Sequence, residues 1–449
     1  MYKPYIKPVS VASPDIIVPE PHISKLVILL SRIVGGLYLF FGFGIARIVL
    51  RNGHFLFNAF QQALEGKSRC ILAFRHARGE EPQFLMWFII FKLRSFAGKA
   101  GIKFCRKPHA VIVYGYEVAR WGGKFTRWVL SGLGAMPVHH TKLDSAGLSR
   151  IINTVSEGPY PLVIAPEGQV SYTTEFVPRL EQGTIRIGFQ AIERLEKQDR
   201  DCPVEILPIS IHYRYGSMGR RSLNKLIRKI EKYTGFKDLN AGFTARLERA
   251  RNFILEQNEK RYGITPNNNQ DFSGRVDTIM NAALTRAETI LGIQARDSEP
   301  IVRLYRIRQI CWDRIVIPGI YKLDNVTLIE RALLDLGAGE AWHASRHMEL
   351  VDFVWYFRVP IPAEDAPLHI KIEYAQNLWD FANRTMGGAF SNRVFNVHPK
   401  RLLIQVASPI NLNERYNEYK KNKKSAVAGA AKDLENAYID CINEAAKFI

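Results

Sequence analysis

Four short apolar runs set the strongest limit on this chain: CILAF (70–74), AVIVYGY (110–116), PLVIA (161–165) and EILPISI (205–211). Each is apolar at nearly every position and bounded by turn residues, the pattern of strands buried on both faces. Such strands need helices on both sides, and helical patterns fill the gaps at 82–98, 119–132, 145–157 and 183–197. The alternation predicts an α/β fold with a mostly parallel central sheet flanked by helices. In sheets of this kind, ligands collect in loops beyond the carboxyl ends of the strands.

After Ile211 the pattern turns helical. Residues 222–235 place Leu223, Leu226, Ile227 and Ile230 on one face and Lys225, Arg228, Lys229 and Lys232 on the other, with Ser222 as N-cap and Gly235 as terminator. Further helices are expected at 243–262, 275–291, 298–315, 326–358 and 368–385, with a loop at 263–274. A strand is expected within 396–412, and an Ala-rich amphipathic helix over 425–448. The expected organisation is an N-terminal tail and membrane-associated helix (1–59), a core (60–215), a helical insertion or accessory region (216–395), and a closing strand and helix of the core (396–449).

Residues 1–24 carry five prolines and no apolar stretch of signal-peptide type. Residues 25–51 follow, rich in aliphatic and aromatic residues. The uncharged piece from Ile33 to Ala46 is 14 residues long, between Arg32 and Arg47. It is shorter than the roughly 20 residues a span requires, so an interfacial or re-entrant helix is expected, with a buried core helix as the alternative. The net charge of +19 implies a polyanionic partner, such as anionic lipid or a phosphate-bearing carrier. No nucleic-acid-binding module is recognisable, so nucleic acid is not expected. Five dispersed cysteines without a C-x-x-C pattern argue against a disulfide framework or zinc site, and for a reducing, cytoplasm-facing location.

A histidine five residues ahead of a carboxylate occurs three times: His76/Glu81, His139/Asp144 and His347/Asp352. His347 and Asp352 fall in one expected helix, where five residues turn the side chains about 140° apart. His76 follows the CILAF strand by two residues, and Pro82 suits the opening of the next helix. A loop-to-helix corner lets residues five apart meet. Imidazole is a general base suited to neutral pH, and a carboxylate on its other nitrogen fixes the tautomer. Glu167 likewise follows PLVIA by two residues.

In order along the chain, these pieces resemble the 1-acyl-glycerol-3-phosphate acyltransferase superfamily. The H-x4-D block is matched by His76-Ala-Arg-Gly-Glu-Glu81, and the glycine-containing second block is approximated by Gly134-Ala-Met-Pro-Val-His-His140. The F-P-E-G-T-R-S block appears as Ala165-Pro-Glu-Gly-Gln-Val-Ser171, and the V-P-V-like strand as Leu207-Pro-Ile-Ser-Ile211. Leu402 to Ile410 matches the closing strand.

The resemblance implies a membrane-associated enzyme of phospholipid biosynthesis that moves an acyl group from CoA or acyl carrier protein to a lysolipid hydroxyl. His76 would be the base, Glu81 its orienting partner, and Glu167, Gly168, Gln169, Ser171, His139 and His140 would contact substrate. The resemblance implies no metal or bound cofactor; the acyl thioester is a co-substrate. Three departures stand out: Glu81 replaces aspartate, His140 or His139 stands for the second-block arginine, and Gln169-Val170 replace Thr-Arg. Lost arginines put a phosphate-bearing acceptor in question, with Lys142, Arg150, Arg179 and Arg186 as possible replacements. Two alternatives stay open: a different acceptor (another lysolipid, a glycolipid or an amine), and a non-catalytic basic protein of membrane surfaces.

Overall fold

A computed structural model of the chain describes residues 9, 11–139, 144–236, 241–266, 270–294, 299–386 and 397–448. The chain divides into two compact units, one built from Val18–Gly216 and His398–Ile449 and the other from Met1–Ile17 and Ser217–Val397. Among the described residues the strands are β1 (Ser13–Pro14), β2 (Ile45–Arg51), β3 (Arg69–Phe74), β4 (Val111–Gly115), β5 (Met136–Val138), β6 (Leu162–Ile164), β7 (Val204–Tyr215), β8 (Val316–Ile317), β9 (Lys400–Val406) and β10 (Ile410–Asn411).

The first unit is α/β. Its sheet runs β2-β9-β7-β3-β6-β4-β5, with β10 paired to β7. Five of its strand pairings are parallel, and β7 meets β9 and β10 antiparallel. β3 lies inside the sheet between β6 and β7, with Leu72 in register with Val163 and Leu207, and all six of its residues are buried. Its alternation supplies two cores. Leu72 and Phe74 pack with Phe84, Phe88 and Ile209 on one face. Ile71 and Ala73 pack with Ile185, Phe189, Leu434 and Tyr438 on the other. The parallel, helix-flanked sheet predicted from apolar runs is therefore present, and the second core comes from the helices Gly183–Glu196 and Lys423–Ala446.

The N-terminal apolar stretch departs from expectation. A helix spans Lys25–Phe43, but Gly44 ends it at φ 70°, and residues 45–51 form β2 beside β9. Glycine is required at this corner, since a Cβ on Gly44 would lie 1.8 Å from His398 Nδ1. What reads as one apolar stretch is thus a helix joined directly to a sheet strand. The helices expected at 82–98 and 119–132 are each broken in two, at Lys92 and at Gly122–Gly123, where Gly123 has φ 68°.

The second unit is helical, comprising Ser217–Thr234, Phe243–Tyr262, Phe272–Leu291, Pro300–Ile315, Leu328–Val354 and Leu368–Thr385, with β1 parallel to β8. The first of these helices begins at Ser217, immediately after Gly216, so Ser222 is interior and not a cap. The expected apolar stripe of Leu223, Leu226, Ile227 and Ile230 is buried as a set. Leu328–Val354 opens on a capping box between Thr327 and Glu330.

Candidate functional site

β3 ends at Phe74, and the chain leaves the sheet through Arg75 and His76 before the helix Glu81–Phe91 begins. Pro82 sits in the first turn of that helix, where its missing N–H costs nothing. The corner turns Glu81 back on His76, with Nδ1 3.1 Å from Oε2. Glu81 is buried, whereas His76 keeps 17% of its side chain exposed. The other Glu81 oxygen accepts the Arg78 backbone N–H at 2.8 Å and the Tyr213 hydroxyl at 2.6 Å. With three donors fixed on it, the carboxylate has little freedom to rotate.

Burial raises the Glu81 pKa above the usual carboxylate range, against the pull of His76 and Tyr213. Burial, then the charges of Glu80 and Glu81, raises Tyr213 far above a normal phenol, so it stays a hydrogen-bond donor. The neighbouring Glu80 forms a buried ion pair with Lys400. Burial opposes its charge, but the lysine outweighs burial and lowers the Glu80 pKa. Lys400 also lies over the Tyr213 ring, 4.7 Å from its centroid. Tyr213, Lys400 and Glu80 adjoin the pair and carry no motif signal; the His76/Glu81 spacing, Pro82 and the strand end are what point to this corner.

The loop after β6 completes the arrangement. Glu167 is fully buried and forms an ion pair with Arg75, and its second oxygen takes the His76 backbone N–H at 2.8 Å. Ser171, also fully buried, donates its backbone N–H to the His76 carbonyl at 2.8 Å. Both residues, expected at the substrate, serve here as anchors of the His76 peptide. Arg75 further donates to the carbonyls of Thr173 and Phe176 at 2.8 and 2.7 Å. Between the anchors, Gly168 turns the loop at φ 71° and Gln169 is carried on it. Arg75 lies outside the motif, and its signal in the sequence is a charged residue directly after a fully apolar strand.

Further along the loop, Glu175 accepts from Arg214 at 3.0 Å and lies 3.2 Å from His212 Nδ1, whose Nε2 is 2.9 Å from Ser210 Oγ. Arg214 donates to the carbonyls of Ala445 and Phe448 at the end of the C-terminal helix. Burial lowers the His212 pKa, against the opposing pull of Glu175.

The other sequence candidates lie elsewhere. His139 stacks on Tyr116 with ring centres 4.0 Å apart, and its backbone N–H meets Asp144 at 3.1 Å. Asp144 caps the helix Ser145–Glu157 by accepting from Gly147. His347 faces Tyr262 and Asp352 faces Arg308, so that pair separates as the helical geometry requires. Arg150 and Arg179 are exposed, and Arg186 donates to Gln182 at 3.1 Å. His140 and Lys142 lie outside the described residues.

Compared with family models, curated proteins and solved structures, the chain matches none. The chemistry must therefore be argued from geometry. Glu81 on Nδ1 fits the tautomer that leaves the Nε2 lone pair outward, and among the described residues Nε2 has no protein partner. Such an imidazole can take a proton from a hydroxyl.

Proposed function

We propose that this chain is a membrane-associated acyltransferase that moves a fatty acyl group from a thioester, on CoA or acyl carrier protein, to a lysolipid hydroxyl such as that of lysophosphatidic acid. The observation that carries the reading is the His76–Glu81 pair at a strand end, its Nε2 open and its peptide held on both sides by Glu167 and Ser171. In this reading Nε2 takes the acceptor's proton as its oxygen attacks the thioester carbonyl. The tetrahedral intermediate collapses with cleavage of the carbon–sulfur bond, and the imidazolium returns the proton to the leaving thiolate. Glu81 stabilises the imidazolium between the two steps. A thioester is already activated, so positioning carries much of the rate.

The helix Lys25–Phe43 supports membrane association and is long and apolar enough to cross a bilayer. One face packs on the helix Glu81–Phe91, with Gly35 against Trp87. The other exposes Leu26, Leu29, Ile33, Val34, Leu37 and Phe41. Because its end feeds into β2, the helix fits an in-plane position on the cytoplasmic leaflet better than a span.

The test offers the purified full-length protein both radiolabelled acyl-CoA and acyl carrier protein, with lysophosphatidic acid as acceptor. Diacylated product from either donor is expected. His76→Ala should lower turnover by at least about 10²-fold while thermal unfolding is unchanged. Full activity in that variant would overturn the assignment.

A further inference from the structure

The short helices Tyr116–Trp121 and Gly123–Gly132 follow β4 directly, at the carboxyl edge of the sheet where β3 delivers His76. A helix normally buries an apolar stripe. Of the residues in these two, only the small Ala119, Ser131 and Gly132 are buried. Their large apolar side chains stay in solvent instead. Phe125 is 72% exposed, Trp121 53% and Trp128 39%, and the rings of Phe125 and Trp128 lie 5.9 Å apart.

The sequence pairs each of these rings with a cation: Arg120-Trp121, Lys124-Phe125 and Arg127-Trp128. No Asp or Glu occurs from Val118 to Leu143. Lys124 is exposed, and Arg120 and Arg127 are half-buried. Aromatic rings beside cations suit the boundary of a bilayer, where apolar chains lie below and phosphates above. The core of a protein interface is instead depleted of charge.

The position of the helices adds a second observation. The end of Gly123–Gly132 is fastened to the segment leading into the apolar helix Lys25–Phe43. His22 and Ser24 donate their backbone N–H groups to the carbonyls of Ser131 and Gly132 at 2.9 and 2.8 Å, and the Ser131 hydroxyl donates to the carbonyls of Pro19 and Glu20. A Cβ on Gly132 would lie 2.5 Å from Val27 Cγ2. The aromatic–cationic surface and the apolar one therefore spring from a common root.

We infer that Trp121, Phe125 and Trp128 form a second lipid-contacting element, seated in the headgroup layer of an anionic bilayer with Lys124 at its phosphates. The inference rests on the membrane-associated part of the reading above and adds what one helix cannot supply. A single in-plane helix leaves the protein free to roll about the helix axis. A second contact at the carboxyl edge of the sheet removes that freedom and turns the edge carrying His76 toward the lipid.

The experiment floats the full-length protein with vesicles of phosphatidylcholine, alone or mixed with phosphatidylglycerol, and needs no turnover. Phe125→Glu should weaken binding to the mixed vesicles by about 10-fold or more, and Phe125→Leu should restore it to within about 3-fold of the parent. Thermal unfolding should not change in either variant. Lipids brominated in their acyl chains should quench part of the parent's tryptophan emission. Trp121→Phe with Trp128→Phe should lose most of that quenching while floating as the parent does. Unaltered quenching in that double variant overturns the inference. If the parent fails to float at all, membrane association and this element fall together. If Leu37→Glu with Phe41→Glu reduces flotation while Phe125→Glu floats as the parent does, only this element falls. Light scattering that shows Phe125→Glu splitting a dimer, with flotation unchanged, overturns the lipid assignment in favour of a contact between two copies.

Discussion

The Tyr213 hydroxyl donates to Glu81 Oε1 across 2.6 Å, while the other oxygen of the same carboxylate lies 3.1 Å from His76 Nδ1. One side chain of β7 therefore helps aim a pair formed at the end of β3. Glutamate is one methylene longer than the aspartate of the H-x4-D block it resembles, and Tyr213 with the Arg78 N–H holds that extra length in place.

Removing the phenol should loosen the pair without dismantling it. A hydrogen bond to a charged group is worth about 1.5–3 kcal/mol, so Tyr213→Phe should lower kcat by roughly 10- to 100-fold. The Tyr213 bond lowers the Glu81 pKa, which burial already holds high. Its loss should push that pKa further up and move the acid limb of the rate profile to higher pH. A profile of kcat/KM from pH 5 to 9 checks this; a uniform drop with no displaced limb would contradict it. Glu81→Asp should fare no better, because a shorter side chain cannot reach both partners.

Lys400 and Glu80 make the second buried arrangement at this corner. Lys400→Met leaves a carboxylate buried without its cation and should destabilise the protein by about 3–5 kcal/mol. Adding Glu80→Gln should recover most of that loss. The Glu80 pKa is lowered in the folded protein, so its contribution is present above the ordinary carboxylate range and is lost as pH falls through its folded value. Urea unfolding between pH 3 and 7 should show a shallower acid slope in the double variant.

How much of this was legible follows from chain distance. β3, β6 and β7 were readable because strands apolar on both faces look unlike helices, and His76 because it stands two residues past one of them. Glu81 and Pro82 are near neighbours of His76, so local rules reach them. Tyr213 and Lys400 are 132 and 320 residues from their carboxylate partners, and each resembles an ordinary residue of its strand. The Gly44 corner was missed because the sequence stays apolar across it, while the chain changes from helix to sheet. Ser222 looked like a cap, but Gly216 releases β7 into helix at once, and the first turn starts at Ser217.

His212 supplies a third pH test, in a window separate from that of Glu80. It faces Ser210 and Glu175, with the charges of Arg214 and Arg75 nearby, and burial lowers its pKa. The unfolded chain therefore takes up a proton near pH 6.5 that the folded chain refuses, so stability falls as pH drops below that value. His212→Gln should flatten stability between pH 5 and 7. Denaturant midpoints across that range measure it, and an unchanged slope would contradict the assignment.

The apolar face of the helix Lys25–Phe43 leads to the last prediction. Leu37 is 58% exposed and Phe41 74%, on the side away from Trp87, and Arg32 and Arg47 are exposed nearby. Each large apolar side chain buried in lipid contributes about 1.5–3 kcal/mol, so Leu37→Glu with Phe41→Glu should weaken vesicle binding by more than roughly 10²-fold. The basic residues add an electrostatic attraction that salt screens. Binding of the unaltered protein to anionic vesicles should therefore weaken in high salt more than binding to neutral ones. The two changes lie on the outer face, so fold and turnover on a dispersed, short-chain acceptor should be preserved. Flotation with vesicles of both compositions, alongside that soluble assay, separates loss of docking from loss of the site. A variant that floats as well as the parent would show that this helix face is not what holds the protein to lipid.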